Sequence, residues 1–188
     1  MKHNIIILLG IQGSGKGTMS ALMREHHDYT YIETGAIFRG LNRDNPVDAE
    51  ILGIMASGAL VPDDMTCKLV ESRMDVDHDI LTDGFPRTRP QAEFLVDWAI
   101  KHDFGVKAVL LNIPDDVVMA RIQSRINDGA GRKDDTDPAA IAKRIAEYHE
   151  KTEPMINFLR TTPGVQFFAI DATMSIDAVF KSVEEKVG

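Results

Sequence analysis

Glycines 10, 13, 15 and 17 crowd into one short segment directly behind an aliphatic run, Asn4-Ile5-Ile6-Ile7-Leu8-Leu9. A run that apolar and that short, stopped by glycine, predicts a strand buried on both faces of a parallel sheet. From Thr18 to His26 the letters turn helical, with Met19, Leu22 and Met23 at three- and four-residue spacing. The segment between, Gly10-Ile11-Gln12-Gly13-Ser14-Gly15-Lys16-Gly17-Thr18, has two glycines separated by four residues and a lysine directly after the second. Glycine lets consecutive backbone N–H groups converge on an anion, the following helix presents its positive end, and the lysine reaches outward, so the pattern is that of a phosphate-binding loop.

The alternation of strand and helix continues. Short apolar runs at Thr30–Glu33, Ile80–Thr82, Ala108–Ile113 and Val165–Ile170 predict four more strands, separated by helical patterns. Strands alternating with helices imply right-handed crossovers and a mostly parallel sheet covered on both faces, an α/β chain. Its 188 residues fit one domain with a core of useful size. With 44% hydrophobic and 27% charged residues, disorder and collagen-like repeats are excluded, and no apolar run reaches the roughly 20 residues of a membrane span. The first residues carry no signal-peptide pattern, which predicts a cytoplasmic protein. The lone Cys67 predicts a buried structural thiol. A net charge of −8 argues against a nucleic-acid partner and requires any anionic ligand to be held locally.

Two stretches interrupt the alternation. Between Arg39 and Asp79 no strand is evident, and helical patterns at Ala49–Ser57 and Asp64–Met74 predict a helical insertion. From Asn127 to Pro138 turn formers and charges dominate, with the acidic Asp134-Asp135-Thr136-Asp137 patch and Pro138 suited to a first helical turn, which predicts a loop joining two helices.

The ending Gly-Lys-Gly-Thr, together with Asp83-Gly84-Phe85-Pro86-Arg87 and Gly131-Arg132-Lys133-Asp134-Asp135, resembles the nucleoside monophosphate kinases, most closely the short-lid adenylate kinases. The resemblance covers nearly the whole chain. It implies a three-layer P-loop NTPase fold with a five-stranded parallel sheet, a core of about 1–33, 79–126 and 138–188, a monophosphate-binding insertion of about 34–76, and a short lid of about 127–137. It implies reversible magnesium-dependent transfer, ATP + AMP to 2 ADP, by a monomer whose partners are those small nucleotides. Such transfer between two anions needs alignment, charge neutralisation and exclusion of water more than covalent help.

The resemblance also implies roles. Gly13, Ser14, Gly15, Lys16, Gly17 and Thr18 hold the donor phosphates, and Arg121 meets the donor's base or ribose side. Thr34, Gly35, Arg39, Leu60, Val61, Gly84, Arg87, Gln91, Arg132 and Arg144 form the acceptor site, with Arg39 and Arg87 on its phosphate and Gln91 on its adenine. Arg132 and Arg144 stabilise the transferring phosphoryl group with Lys16 and Arg87, and Arg125 joins that cluster. Asp83, ending an apolar strand, positions hydrated magnesium, while Asp134 and Asp135 fix the closed lid. No cysteine falls in the lid, so its zinc-bearing long form is not expected.

The chain departs from the family's usual letters at Gln12, a proline there, and Ala36, an aspartate there, and neither change removes a phosphate ligand. His26, His27 and His149 form no catalytic or metal set and are expected at solvated or capping positions, Tyr148-His149-Glu150 as packing, and the scattered methionines as core filler. Two rivals stand beside the main reading: a UMP/CMP-type kinase on the same fold, against which Gln91 speaks, and a nucleotide-binding regulatory protein with little transfer activity.

Overall fold

A computed structural model of the chain describes residues 2–56, 61–127 and 138–188. Five parallel strands form one sheet in the order β2-β3-β1-β4-β5, with β1 at His3–Leu9, β2 at Tyr29–Glu33, β3 at Asp79–Asp83, β4 at Phe104–Asn112 and β5 at Val165–Asp171. The central strand alternates its side chains between two cores: Ile5, Ile7 and Leu9 enter one, Ile6 and Leu8 the other. That two-sided burial is what an unbroken aliphatic run predicts. Helix α1 (Lys16–His26), α6 (Asp115–Asn127) and α9 (Ile176–Val187) cover the second core through Met19, Met23, Val118, Ile122, Val179 and Val183. Helix α5 (Arg89–Lys101) and α8 (Glu153–Thr161) cover the first through Leu95, Val96, Met155 and Leu159, so the architecture is a three-layer α/β sandwich.

The strands differ from expectation mainly at β4, which starts at Phe104 rather than Ala108. Gly105 and Lys107 break the apolar run there, and the structure accommodates the lysine by having its Nζ donate to the Val187 carbonyl at 2.8 Å. A short helix, α2 (Thr34–Arg39), precedes the two helices expected between Arg39 and Asp79, which among the described residues are α3 (Pro46–Ala56) and α4 (Asp63–Glu71). Helix α2 is six residues long, too short for helical periodicity to register. Helix α4 stops before Met74 because the Arg73 and Met74 amides close tighter turns onto the Val70 and Glu71 carbonyls. A small satellite core of Ile51, Met65 and Leu69, with Ile37, Phe38 and Val61 against it, gives this helical insertion its own packing.

Helix α7 (Pro138–Glu147) runs through a π-helical turn, Tyr148–Thr152, into α8. Within that turn Tyr148 packs against both cores, and burial, with Glu153 and Asp115 nearby, pushes its hydroxyl pKa up to about 12. The partly exposed His149 does more than cap: its ring pairs with Glu153 at 2.8 Å and with Asp115 at 3.1 Å, tying α8 to the start of α6. Helix ends His26 and His27 lie against Phe180 and Tyr29, and His27 also pairs with Glu184 at 2.7 Å. Buried Cys67 has its thiol pKa pushed up to about 12 by burial and by Asp63, Asp64 and Glu71, which keeps it protonated and unreactive.

The hydrogen bonds to the Glu153 carboxylate and to Asp115 raise the His149 pKa above its ordinary value. A raised folded-state pKa contributes stability that is complete below the unfolded value and is lost as pH rises through the folded one. His149→Ala should therefore lower the melting temperature more at about pH 6 than at about pH 9. Equal losses at both pH values would show that the histidine only fills space.

Candidate active site

The candidate site lies where the sheet's strands end. β1 leads into α1 on one face while its neighbour β3 leads toward α5 on the other, so the two exits part at their carboxyl ends. Such a division is where open α/β sheets leave a crevice for ligands. On the β1 side the chain leaves the strand through Gly10, Gly13 and Gly15, with φ of 146°, 87° and 99°. A Cβ on Gly10 would lie 2.6 Å from Ser14 Oγ and 2.9 Å from the Leu111 carbonyl, so both space and conformation demand glycine. The Ser14 amide closes a turn on the Ile11 carbonyl at 3.1 Å. Helix α1 begins at Lys16 with Gly15 as its cap and no side chain capping it, leaving its first amides and its dipole directed at the loop. The Lys16 ammonium folds back over that loop, donating to Gly10 and Ile11 carbonyls at 2.6 and 3.1 Å. Gly17 and Thr18 lie exposed on the first turn, and Ser14 is buried.

One strand over, Asp83 sits in register with Leu8 of β1 and Glu33 of β2. The next residue, Gly84, has φ of 80°, and its carbonyl is the meeting point of two distant segments. It accepts from Thr34 Oγ1 at 2.9 Å and from Arg87 Nε at 2.8 Å. A Cβ on Gly84 would come within 3.0 Å of both Thr34 Oγ1 and Arg87 Nη2, so this junction also requires glycine. Arg39, at the end of the helix that Thr34 begins, is largely exposed and pairs with Glu33 at 3.0 Å. A Cβ on Gly35 would stand 3.1 Å from Arg39 Nη1, so the guanidinium lies close over the helix start.

Gln91 is buried on the first turn of α5, and both ends of its amide are engaged. Its Oε1 accepts from the Arg87 backbone N–H at 2.8 Å and its Nε2 donates to Asp63 Oδ1 at 2.7 Å. The other Asp63 oxygen accepts from Thr88 Oγ1 at 2.9 Å, and Thr88 caps α5. Asp63 and Glu33 are the polar residues that the sequence reading missed: an aspartate after a proline reads as a helix start, and nothing in its spacing announces a partner 28 positions away.

From the other face, α6 backs the loop, with Val118 and Ile122 packed against Gly13. The same helix carries Arg121, which donates to the Ala172 carbonyl at 2.7 Å, and Arg125 in its last turn. Thus Lys16, Asp83, Thr34, Gly35, Arg39, Gly84, Arg87 and Gln91 fall at neighbouring strand exits, and Val61 packs in the satellite core beyond them. Leu60, Arg132, Asp134 and Asp135 lie outside the described residues, as does the Arg144 side chain, whose backbone is in α7. Gln12 lies in the turn after β1, and Ala36 is exposed on α2.

A family model described as adenylate kinase matches residues 8–163. An adenylate kinase of Flavobacterium psychrophilum is 34% identical over 188 residues, spanning 97% of this chain and 97% of that protein. Adenylate kinases of Nitrobacter hamburgensis and Clostridium novyi are each 32% identical, spanning 97% of this chain and 93% and 97% of their own lengths.

The crowding at Gly10 and the open space at Gly17 predict opposite outcomes for the same substitution. Gly10→Ala should cost about 1–3 kcal/mol of stability in urea denaturation. Gly17→Ala, with no atom within 4 Å of its added Cβ, should be neutral or slightly stabilising. Equal losses would mean that the loop does not hold the crowded geometry described.

Proposed function

This chain belongs to the adenylate kinase family, and on that premise we propose that it transfers a phosphoryl group directly and reversibly between ATP and AMP, giving two ADP. The observation that carries this reading is the pairing, at the adjacent carboxyl ends of β1 and β3, of a phosphate-binding loop with a Thr34–Gly84–Arg87 junction. One supplies a donor site, the other an acceptor site.

In this reading the donor's phosphates lie in the loop of residues 13–18, against the uncapped amides of α1. Lys16 exchanges its bonds to the Gly10 and Ile11 carbonyls for the outer phosphate oxygens, so its charge arrives without leaving the loop. Arg87 Nε is committed to the Gly84 carbonyl, which sets the plane of a guanidinium fork suited to the acceptor's phosphate. Arg39 serves that phosphate by exchanging Glu33 for it. Thr34, Gly35, Val61 and Leu60 flank the acceptor base, and Gln91 reads it. Arg121 meets the donor's nucleoside side, and by resemblance Arg125, Arg132 and Arg144 gather on the transferring group. Developing charge is then met by fixed cations, which need little reorganisation during transfer.

Asp83 is an oxygen donor at a strand end, in register with Leu8 near the end of β1, the hard carboxylate chemistry that Mg²⁺ prefers, so the residues present fit that ion held through water. Bound with ATP, Mg²⁺ would neutralise the donor's phosphate charge. We assign the helical segment of about 34–76 and the lid of about 127–137 to covering the acceptor and donor, which keeps water from the phosphoryl group. We also infer a cytoplasmic monomer acting on small nucleotides. Among the described residues no helix is long and apolar enough to cross a membrane.

A coupled assay with Mg²⁺ and ATP, offering AMP, GMP, CMP and UMP in parallel, should give rapid ADP formation with AMP. Preference for another acceptor would keep the chemistry and overturn the base assignment, and silence with all four would overturn the transfer reading. Lys16→Met and Arg87→Ala should each lower kcat/KM by roughly 10²–10⁴ with the melting temperature retained. Near-normal rates in either variant would refute its assigned role.

A further inference from the structure

We infer that Asp63 is a specificity-positioning residue, whose carboxylate, with the Arg87 backbone amide, locks the Gln91 side chain in the one orientation that matches an adenine edge and opposes a guanine edge. This rests on the reading of Gln91 as the group that meets the acceptor's base. The lock itself follows from what each partner is able to do. An ionised carboxylate only accepts hydrogen bonds and a backbone N–H only donates them. Gln91 Nε2 faces Asp63 Oδ1 at 2.7 Å and Gln91 Oε1 faces the Arg87 amide at 2.8 Å. Turning the amide over would set its NH₂ against an N–H and its oxygen against a carboxylate, replacing two hydrogen bonds by two repulsions. At 7% exposure, water has little access to relieve either one.

The amide's remaining capacity is one N–H on Nε2 and one lone pair on Oε1, in a fixed order. Adenine presents along its Watson–Crick edge an exocyclic donor and then a ring acceptor, and cytosine presents the same order. Guanine and uracil present the reverse, an exocyclic acceptor and then a ring donor. A base tethered through its ribose to a phosphate held at Arg87 is not free to turn end for end. An unlocked glutamine would simply flip to suit either edge, as amides readily do when their partners permit it. The locked one discriminates.

Asp63 is itself well fixed for this task. Its second oxygen accepts from Thr88 Oγ1 at 2.9 Å, and it stands in the first turn of α4 while reaching the capped start of α5. Its charge therefore lies near the positive ends of two helices. It also joins the helical segment of 34–71 to the β3–α5 connection that carries Arg87, so base recognition and phosphate recognition share one hydrogen-bonded unit.

The test measures kcat/KM for AMP, CMP and GMP with ATP as donor, in the wild type, Asp63→Ser, Asp63→Asn and Gln91→Ala. Serine suits a helix start but does not reach Gln91, so Asp63→Ser should reduce the AMP-over-GMP preference about tenfold or more. It should raise KM for AMP and CMP together, keeping their ratio and leaving KM for ATP unmoved. Asp63→Asn, whose carbonyl still accepts from Nε2, should restore most of the preference. An AMP-over-GMP ratio unchanged in Asp63→Ser, or equal losses with all three acceptors, would overturn the lock. If Gln91→Ala keeps the ratio, the base reading itself fails and the lock falls with it; if Gln91→Ala abolishes the ratio and Asp63→Ser does not, the lock alone fails. A measurement on the wild type guards against a variant that does not fold: the Gln91 side-chain amide, assigned by its absence from Gln91→Ala, should be protected from solvent exchange in ¹⁵N NMR, and rapid exchange would overturn the proposal.

Discussion

The exit from β1 at Gly10 is the constraint on which the rest of the site depends. β1 is hydrogen-bonded on both sides, to β3 and to β4, so its end cannot drift. The chain must turn there in a space closed by Ser14 and the Leu111 carbonyl, at a φ that side chains rarely adopt. That turn carries the chain to one face of the sheet while β3 sends its own to the other, and α1 begins with its amides directed at the gap. The anion site proposed there is thus a product of backbone geometry before any cation is added.

The second support is a single carbonyl. Gly84 accepts from Thr34 and from Arg87, residues separated by the whole helical segment after β2 and by β3 itself. Both donors approach as closely as a residue without a Cβ allows. Arg87 is therefore oriented by the backbone of its own motif. Arg39 is oriented instead by Glu33, at the end of the adjacent strand. In a chain with net charge −8, Arg39 and Arg87 are thus held by local partners where the strands end.

Much of this was legible in the letters. The aliphatic run, the glycines and Lys16 foretold β1, the loop and α1, because a doubly buried strand and a phosphate loop each impose strict residue types. The five strands were readable to within a few residues, except the start of β4, where Lys107 reaches a carboxyl-terminal carbonyl that no local pattern reveals. Helix α2 was not readable because six residues complete fewer than two turns. The motif around Gly84 and Arg87 was recognisable as letters, but nothing in them says that one carbonyl gathers Thr34 and Arg87. Likewise His149 looked isolated in sequence, although its two carboxylate partners lie on different helices.

What the sequence determined by itself was the class of fold, the glycine loop behind β1 and the chemical kind of ligand, since these follow from short-range rules of periodicity, glycine conformation and charge. Tertiary structure alone decided which groups meet: that Asp63 reaches Gln91 across 28 positions, that the Arg87 amide takes the other end of the same side chain, and that Glu33 holds Arg39. The reason is physical. A hydrogen bond depends on distance and direction in space, and the separation of two residues along the chain fixes neither until the sheet order has placed β2, β3 and β1 side by side.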